Sequence, residues 1–171
     1  MYFQRIPIKK TKFNLLFITI MMLLFSSCTN EDDEIYIDHL NENSIEYINM
    51  ELEILDLVNN YRSSIGLNSL ERMNLISKVA ESHSNFMAET GRLSHENFPK
   101  RNQELMAKAN AKAIGENLGF GYTTAKSAFQ AWLNSGKHKK VIEDKKYTHF
   151  GISIKQNAKG KNFFTHIFII R

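Results

Sequence analysis

Three short segments of this chain carry the side chains best suited to chemistry: residues 93–98 (LSHENF), 115–118 (GENL) and 132–138 (WLNSGKH). Each holds one metal-ligating or proton-transferring group, His95, Glu116 and His138, beside glycines or small polar residues. Two imidazoles and a carboxylate could hold Zn2+ or another divalent metal at about 2.0–2.2 Å, with water completing a tetrahedral shell. Metal-bound water with Glu116 as base would then be hydrolytic machinery. The same groups could equally be hydrogen-bonded cleft residues that orient loops. No helical i, i+4 histidine pair of the zincin type is present. About twenty residues separate successive candidates, so only a fold can bring them together.

Other chemistries have less support. No serine stands in a G-x-S-x-G elbow, and Gly115, Gly119 and Gly121 do not form the G-x-G-x-x-G phosphate loop. His83 lies near the apolar stripe of its segment and reads as a core or cleft-edge histidine. His149 and His166 fall in strand-like runs, His39 in an acidic stretch, and Trp132 at helical core spacing.

The elements that must position these groups are helical from about residue 44 to 142. Ser44 can cap a helix whose apolar residues Ile45, Ile48, Leu52, Leu55 and Val58 recur at three- and four-residue steps, ending at Gly66. A second helix carries Leu75, Ile76, Val79, Ala80, Phe86 and Met87 and stops before Gly91. Pro99 starts a third, through about Ala109. Thr123 or Thr124 caps a fourth with Ala125, Ala128, Phe129, Trp132 and Leu133 inward. Residues 147–155 and 162–170 then alternate as strands around the turn residues 157–160, and the apolar run NFFTHIFII predicts a strand covered on both faces. Two strands are marginal alone, so a further strand is expected within 113–122. The predicted fold class is α+β: an αβα sandwich with a mixed or antiparallel central sheet flanked by helices.

The front of the chain reads differently. Arg5, Lys9, Lys10 and Lys12 precede the apolar run 13–25, which is too short to span a bilayer and has the form of a signal peptide. Residues 1–27 are therefore assigned to a signal, 28–43 to an acidic tether and 44–171 to the folded domain. Cys28, the only cysteine, follows Ser26-Ser27 and resembles the lipidated cysteine of a bacterial lipobox; an internal disulfide is excluded. Without the signal, the chain from Cys28 onward carries 18 basic and 18 acidic residues, so the overall +4 charge gives little support to nucleic-acid binding. From Leu57 onward, basic residues outnumber acidic ones 18 to 8.

The motifs taken in order resemble the CAP superfamily, or SCP domain: Asn59 to Arg62 with Gly66-Leu67 and Leu70, Ala80 to Ala88 (AESHSNFMA), Ser94-His95, Gly115-Glu116-Asn117, Trp132 to Ser135 with His138, and Thr148 to Ile152 (THFGI). The resemblance covers about residues 52–170. It implies a cleft lined by a His-Glu-Glu-His tetrad, in which His95, Glu116 and His138 match three positions. Where the second glutamate is expected, this chain has Trp-Leu-Asn-Ser, and Asn134 can hydrogen-bond but cannot supply a carboxylate. The sequence thus favours a ligand- or partner-binding module over an enzyme, with lipid, sterol or protein as the ligand classes the resemblance implies. The alternative is a metal-dependent peptidase or other hydrolase using Glu116. The expected location is the bacterial cell envelope, as an outer-membrane lipoprotein or on the cell surface, held to the membrane by an N-terminal lipid.

Overall fold

The structure, a computed structural model of the chain, describes residues 44–171. The expected signal peptide, the tether with His39, and Cys28 lie outside them. Helices α1 (Asn49–Ser64), α2 (Asn74–Thr90), α3 (Phe98–Ala109), α4 (Ala125–Asn134) and α5 (Gly136–Ile142) surround strands β1 (Glu71–Arg72), β2 (Ala113–Phe120), β3 (His149–Gln156) and β4 (Asn162–Ile170). The strand order is β1-β3-β4-β2; β1 runs parallel to β3, and the other pairs are antiparallel. The fold is the expected αβα sandwich. β4 lies inside the sheet and is buried along nearly its whole length, while β2 forms one edge.

Strand alternation sorts side chains into two apolar layers. Phe150, Ile152 and Ile154 of β3 and Phe164 and Phe168 of β4 pack against Ile54, Leu55 and Val58 of α1 and Phe129 and Trp132 of α4. On the opposite face, Ile167 and Ile169 of β4 pack against Ile76, Val79 and Ala80 of α2 and Leu105 of α3. Gly151 sets the α2–β3 spacing: a Cβ there would stand 2.5 Å from the Ser77 backbone nitrogen and 2.8 Å from Ile76 Cβ. The space lets Ser77 Oγ accept a hydrogen bond from Ile152 N at 3.0 Å.

Arg62, from the family-like opening motif, is fully buried. Its guanidinium donates to the carbonyls of Asn68, Ile142 and Asp144 and to Asn68 Oδ1, tying the end of α1 to the end of α5. The first helix starts later than the periodicity predicts. Its N-cap is Ile48, not Ser44, because Glu51 turns back to accept a hydrogen bond from Ile48 N (3.0 Å) while its other oxygen accepts from Ile154 N (2.7 Å). That double anchor fixes the helix start against β3. Two short elements, β1 and α5, carry too few residues to show a period in sequence.

Candidate functional site

The site forms along edge strand β2, and the residues of its Gly-Glu-Asn segment alternate in role. Gly115 faces α5: a Cβ would lie 2.9 Å from Tyr147 Cζ and 3.0 Å from Val141 Cγ1, so only glycine admits α5 this close. Asn117, on the same face, donates from Nδ2 to the His138 carbonyl at 3.0 Å. These two residues seat the helix that carries His138. One residue further, the Leu118 carbonyl accepts a 2.7 Å hydrogen bond from the buried Trp132 indole, which ties α4 to the same strand.

Glu116 points to the other face, where its side chain is 1% exposed. Arg101 of α3 grips it in a fork, Nε to Oε2 and the terminal nitrogen to Oε1, both at 2.8 Å. Bidentate, charge-assisted pairs of this kind are among the strongest hydrogen bonds in proteins. His95 Nδ1 adds a third bond to Oε1, also at 2.8 Å. The other Arg101 terminal nitrogen donates to the Glu96 carbonyl (2.7 Å) and to His83 Nδ1 (2.9 Å). A guanidinium has no acceptor, so His83 Nδ1 carries no proton and its Nε2–H donates to the Ser94 carbonyl at 2.8 Å. Arg101 and His83 therefore hold residues 94–96 from beneath and present His95 outward, its side chain 58% exposed.

Burial first, and then the Arg101 charge, lowers the His83 pKa. The His138 pKa is also lowered, by burial first and then by its neighbours His95 and Lys137. Both imidazoles are neutral at physiological pH. His95 is thus an exposed imidazole bonded to a carboxylate already paired with arginine, and His138 is a half-buried one near His95.

This geometry bears on the candidate metal. Glu116 has both oxygens committed to Arg101, and among the described residues no group of three or more His, Cys, Asp or Glu side chains is placed to hold an ion. His95 and His138 share the site without a third protein ligand, and a cation there would meet Arg101 and Lys137. The donor set does not fit a three-ligand zinc centre. Asn134 is exposed and accepts a hydrogen bond from Gln130 at 3.1 Å; no described bond joins it to His95, Glu116 or His138.

Sequence reasoning missed Arg101. The signal was there: Arg101, Leu105 and Ala109 form the buried face of α3, and an arginine on an apolar stripe requires a buried counter-charge. His83, read as core or cleft edge, is 3% exposed and supports the loop that carries His95.

The family model described as the cysteine-rich secretory protein (CAP) family matches residues 55–168. The chain belongs to this family. A membrane protein of Bacillus subtilis (strain 168), YlbC, is 32% identical over 118 residues, spanning 66% of this chain and 34% of that protein. A second protein of the same organism, YkwD, is 30% identical over 105 residues, 60% of this chain and 41% of its own length. The chain thus spans well under half of the curated relatives it matches. Among solved structures, an extracellular SCP-domain protein of Bacillus anthracis superposes with a TM-score of 0.63 at 27% identity, covering 77% of this chain and 41% of the other. An outer surface protein of Borrelia burgdorferi superposes at 0.65 and 21% identity, covering 74% and 98%, and shows the shared fold. The CAP fold accounts for the αβα layering.

Proposed function

We propose that this CAP domain is an extracytoplasmic binding module whose His95–Glu116–His138 cleft recognises a ligand or partner by hydrogen bonding rather than by catalysis. The observation that carries the reading is the Arg101–Glu116 fork. A general base needs a free lone pair within reach of the proton it takes. Here the Glu116 side chain is 1% exposed, and two bonds from Arg101 and one from His95 fill three of its about four lone-pair sites. A neutral imidazole at His138, flanked by Lys137 and Lys139, suits a neutral or anionic polar group over a cation. The extracellular and surface settings named for the structural relatives, and the membrane setting named for YlbC, support a location in the cell envelope. The signal-like N-terminus and Cys28 support lipid anchoring there.

The test is hydrolysis of casein and fluorogenic peptides by the full chain, with and without added Zn2+. The reading expects no turnover above buffer. Turnover abolished by Glu116→Gln would instead establish the alternative hydrolase. Binding is read separately: in ligand screens by NMR, the His95 and His138 ring signals should be among those that move, and hits that leave both unmoved would overturn the cleft as the binding site. Anchoring has its own readout, since Cys28→Ser should release the protein from membranes and continued attachment would refute the lipid.

A further inference from the structure

The segment that carries His95 is held between two helices by its carbonyls. Left-handed residues, Gly91 (φ 67°) and Asn97 (φ 60°), set residues 92–96 off from α2 and α3. His83 Nε2 of α2 donates to the Ser94 carbonyl at 2.8 Å, and a terminal nitrogen of Arg101 in α3 donates to the Glu96 carbonyl at 2.7 Å. The same Arg101 nitrogen also donates to His83 Nδ1 at 2.9 Å, so one contact joins the two tethers. That contact lasts only while Nδ1 keeps its lone pair, because a guanidinium can donate and cannot accept.

A proton at Nδ1 would set two donors and two like charges against each other at that distance. Arg101 is fixed by its fork on Glu116, and the His83 ring by its stack on Phe86 and its bond to Ser94. If the ring yields, the Ser94 tether goes with it; if the Arg101 nitrogen yields, the Glu96 tether is lost. The charged or titratable groups that face His83 are Arg101, Lys100 and Glu104 of α3, Glu116 of β2 and His95 of the segment itself. Glu104 pairs with Lys108 and Glu116 with Arg101, and of these groups Arg101 is the one bonded to the ring. A groove of about 170 Å³ between α2 and α3, lined by His83, Phe86, Lys100 and Arg101, gives a proton a route from solvent.

We infer that His83 is an acid-released latch: a proton taken up at Nδ1 turns the ring from acceptor to donor against Arg101 and frees residues 94–96 from one of the two helices. Burial first, and then the Arg101 charge, holds the closed ring below the ordinary histidine pKa of about 6.5. Release takes the ring away from that charge, so the open segment binds the proton more readily than the closed one. Acid therefore favours opening, by up to about tenfold per pH unit below about 6.5 until the closed ring itself titrates. His95 Nδ1 donates to a carboxylate and keeps that bond whatever the charge of its ring, so the backbone loosens around a held imidazole. As regulation of the cleft the latch rests on the binding reading above; it is measured without a ligand, so its failure leaves that reading untouched.

The experiment follows the full chain by NMR from pH 7.5 to 5.0. The Phe98 amide, which donates to the His95 carbonyl at 3.1 Å, reports the closed segment, and β4 amides report global unfolding. In the wild type, hydrogen-exchange protection at Phe98 relative to β4 should fall by about threefold or more across that range. The His95 and Glu96 amide shifts should titrate with the His83 ring. In His83→Gln, whose amide accepts and donates but takes up no proton here, the same ratio should change by less than about twofold. Should that variant not fold, the wild-type titrations decide alone. A flat ratio in the wild type, an equal fall in His83→Gln, or amide shifts that follow the His95 ring or neither ring would overturn the latch.

Discussion

Removing the Arg101 guanidinium should destabilise the domain far more than its exposure alone suggests. The side chain is 7% exposed and its partner carboxylate 1%. Arg101→Leu would delete two bonds to Glu116, one to His83 and one to the Glu96 carbonyl, leaving Glu116 buried with only His95 beside it. Losing one partner of a buried pair costs about 3–5 kcal/mol, a large part of the roughly 5–15 kcal/mol that holds a domain folded. Glu116→Leu alone should cost a similar amount, because it strands the arginine. The double variant should cost less than the sum, since no unpaired charge remains, with a coupling of about 1–3 kcal/mol. Urea denaturation at pH 7.5 of the wild type, both single variants and the double variant measures the cycle. Additive losses, or an Arg101→Leu cost below about 1 kcal/mol, would refute the buried clamp.

Other consequences are as direct. His166 is fully buried, neither ring nitrogen has a protein partner, and burial pushes its pKa down to about 3. Unfolded histidine takes up a proton below about pH 6.5, so the unfolded state binds more protons than the fold and stability falls as pH drops from 6.5 toward 3. At about 1.36 kcal/mol per unit this loss approaches 5 kcal/mol. His166→Leu should therefore cost under about 1.5 kcal/mol at pH 7.5 and flatten the acid limb of a stability–pH curve; an unchanged limb would contradict the assignment. Gly151→Ala drives a methyl into the Ser77 backbone and should cost at least about 1–3 kcal/mol in thermal or urea unfolding, whereas a neutral result would mean that α2 can shift freely. Trp132→Phe leaves the buried Leu118 carbonyl without its donor and should cost about 1–3 kcal/mol by the same assay; no measurable loss would remove the indole as the α4–β2 tie.

Much of the fold was legible because long elements repeat. The α2 and α4 stripes, the Pro99 start of α3, the central β4 and the extra strand around Glu116 followed from periodicity, helix-start chemistry and the need to pair a hairpin. What escaped was set by tertiary contacts. The start of α1 depends on Glu51 reaching Ile154, 103 residues away. The Gly115-Glu116-Asn117 motif was readable as a site, yet its division of labour was not: glycine makes room for α5, asparagine holds the His138 backbone and glutamate meets Arg101. Arg101 had no reading from the sequence; its burial with Leu105 and Ala109 on one face of α3 is what marks it as an inward charge. The resemblance pointed to His95, Glu116 and His138, and Arg101 holds the carboxylate of the three.

The central claim, that Glu116 is the counter-ion of Arg101 and not a metal ligand or free base, is tested most directly by Zn2+ calorimetry. Wild type, Arg101→Gln, Glu116→Gln and His95→Ala would be titrated side by side. The account predicts wild-type binding no tighter than the high-micromolar range, insensitive to Glu116→Gln, and tighter binding in Arg101→Gln, where the carboxylate is released. Sub-micromolar wild-type binding, lost in both His95→Ala and Glu116→Gln, would contradict it.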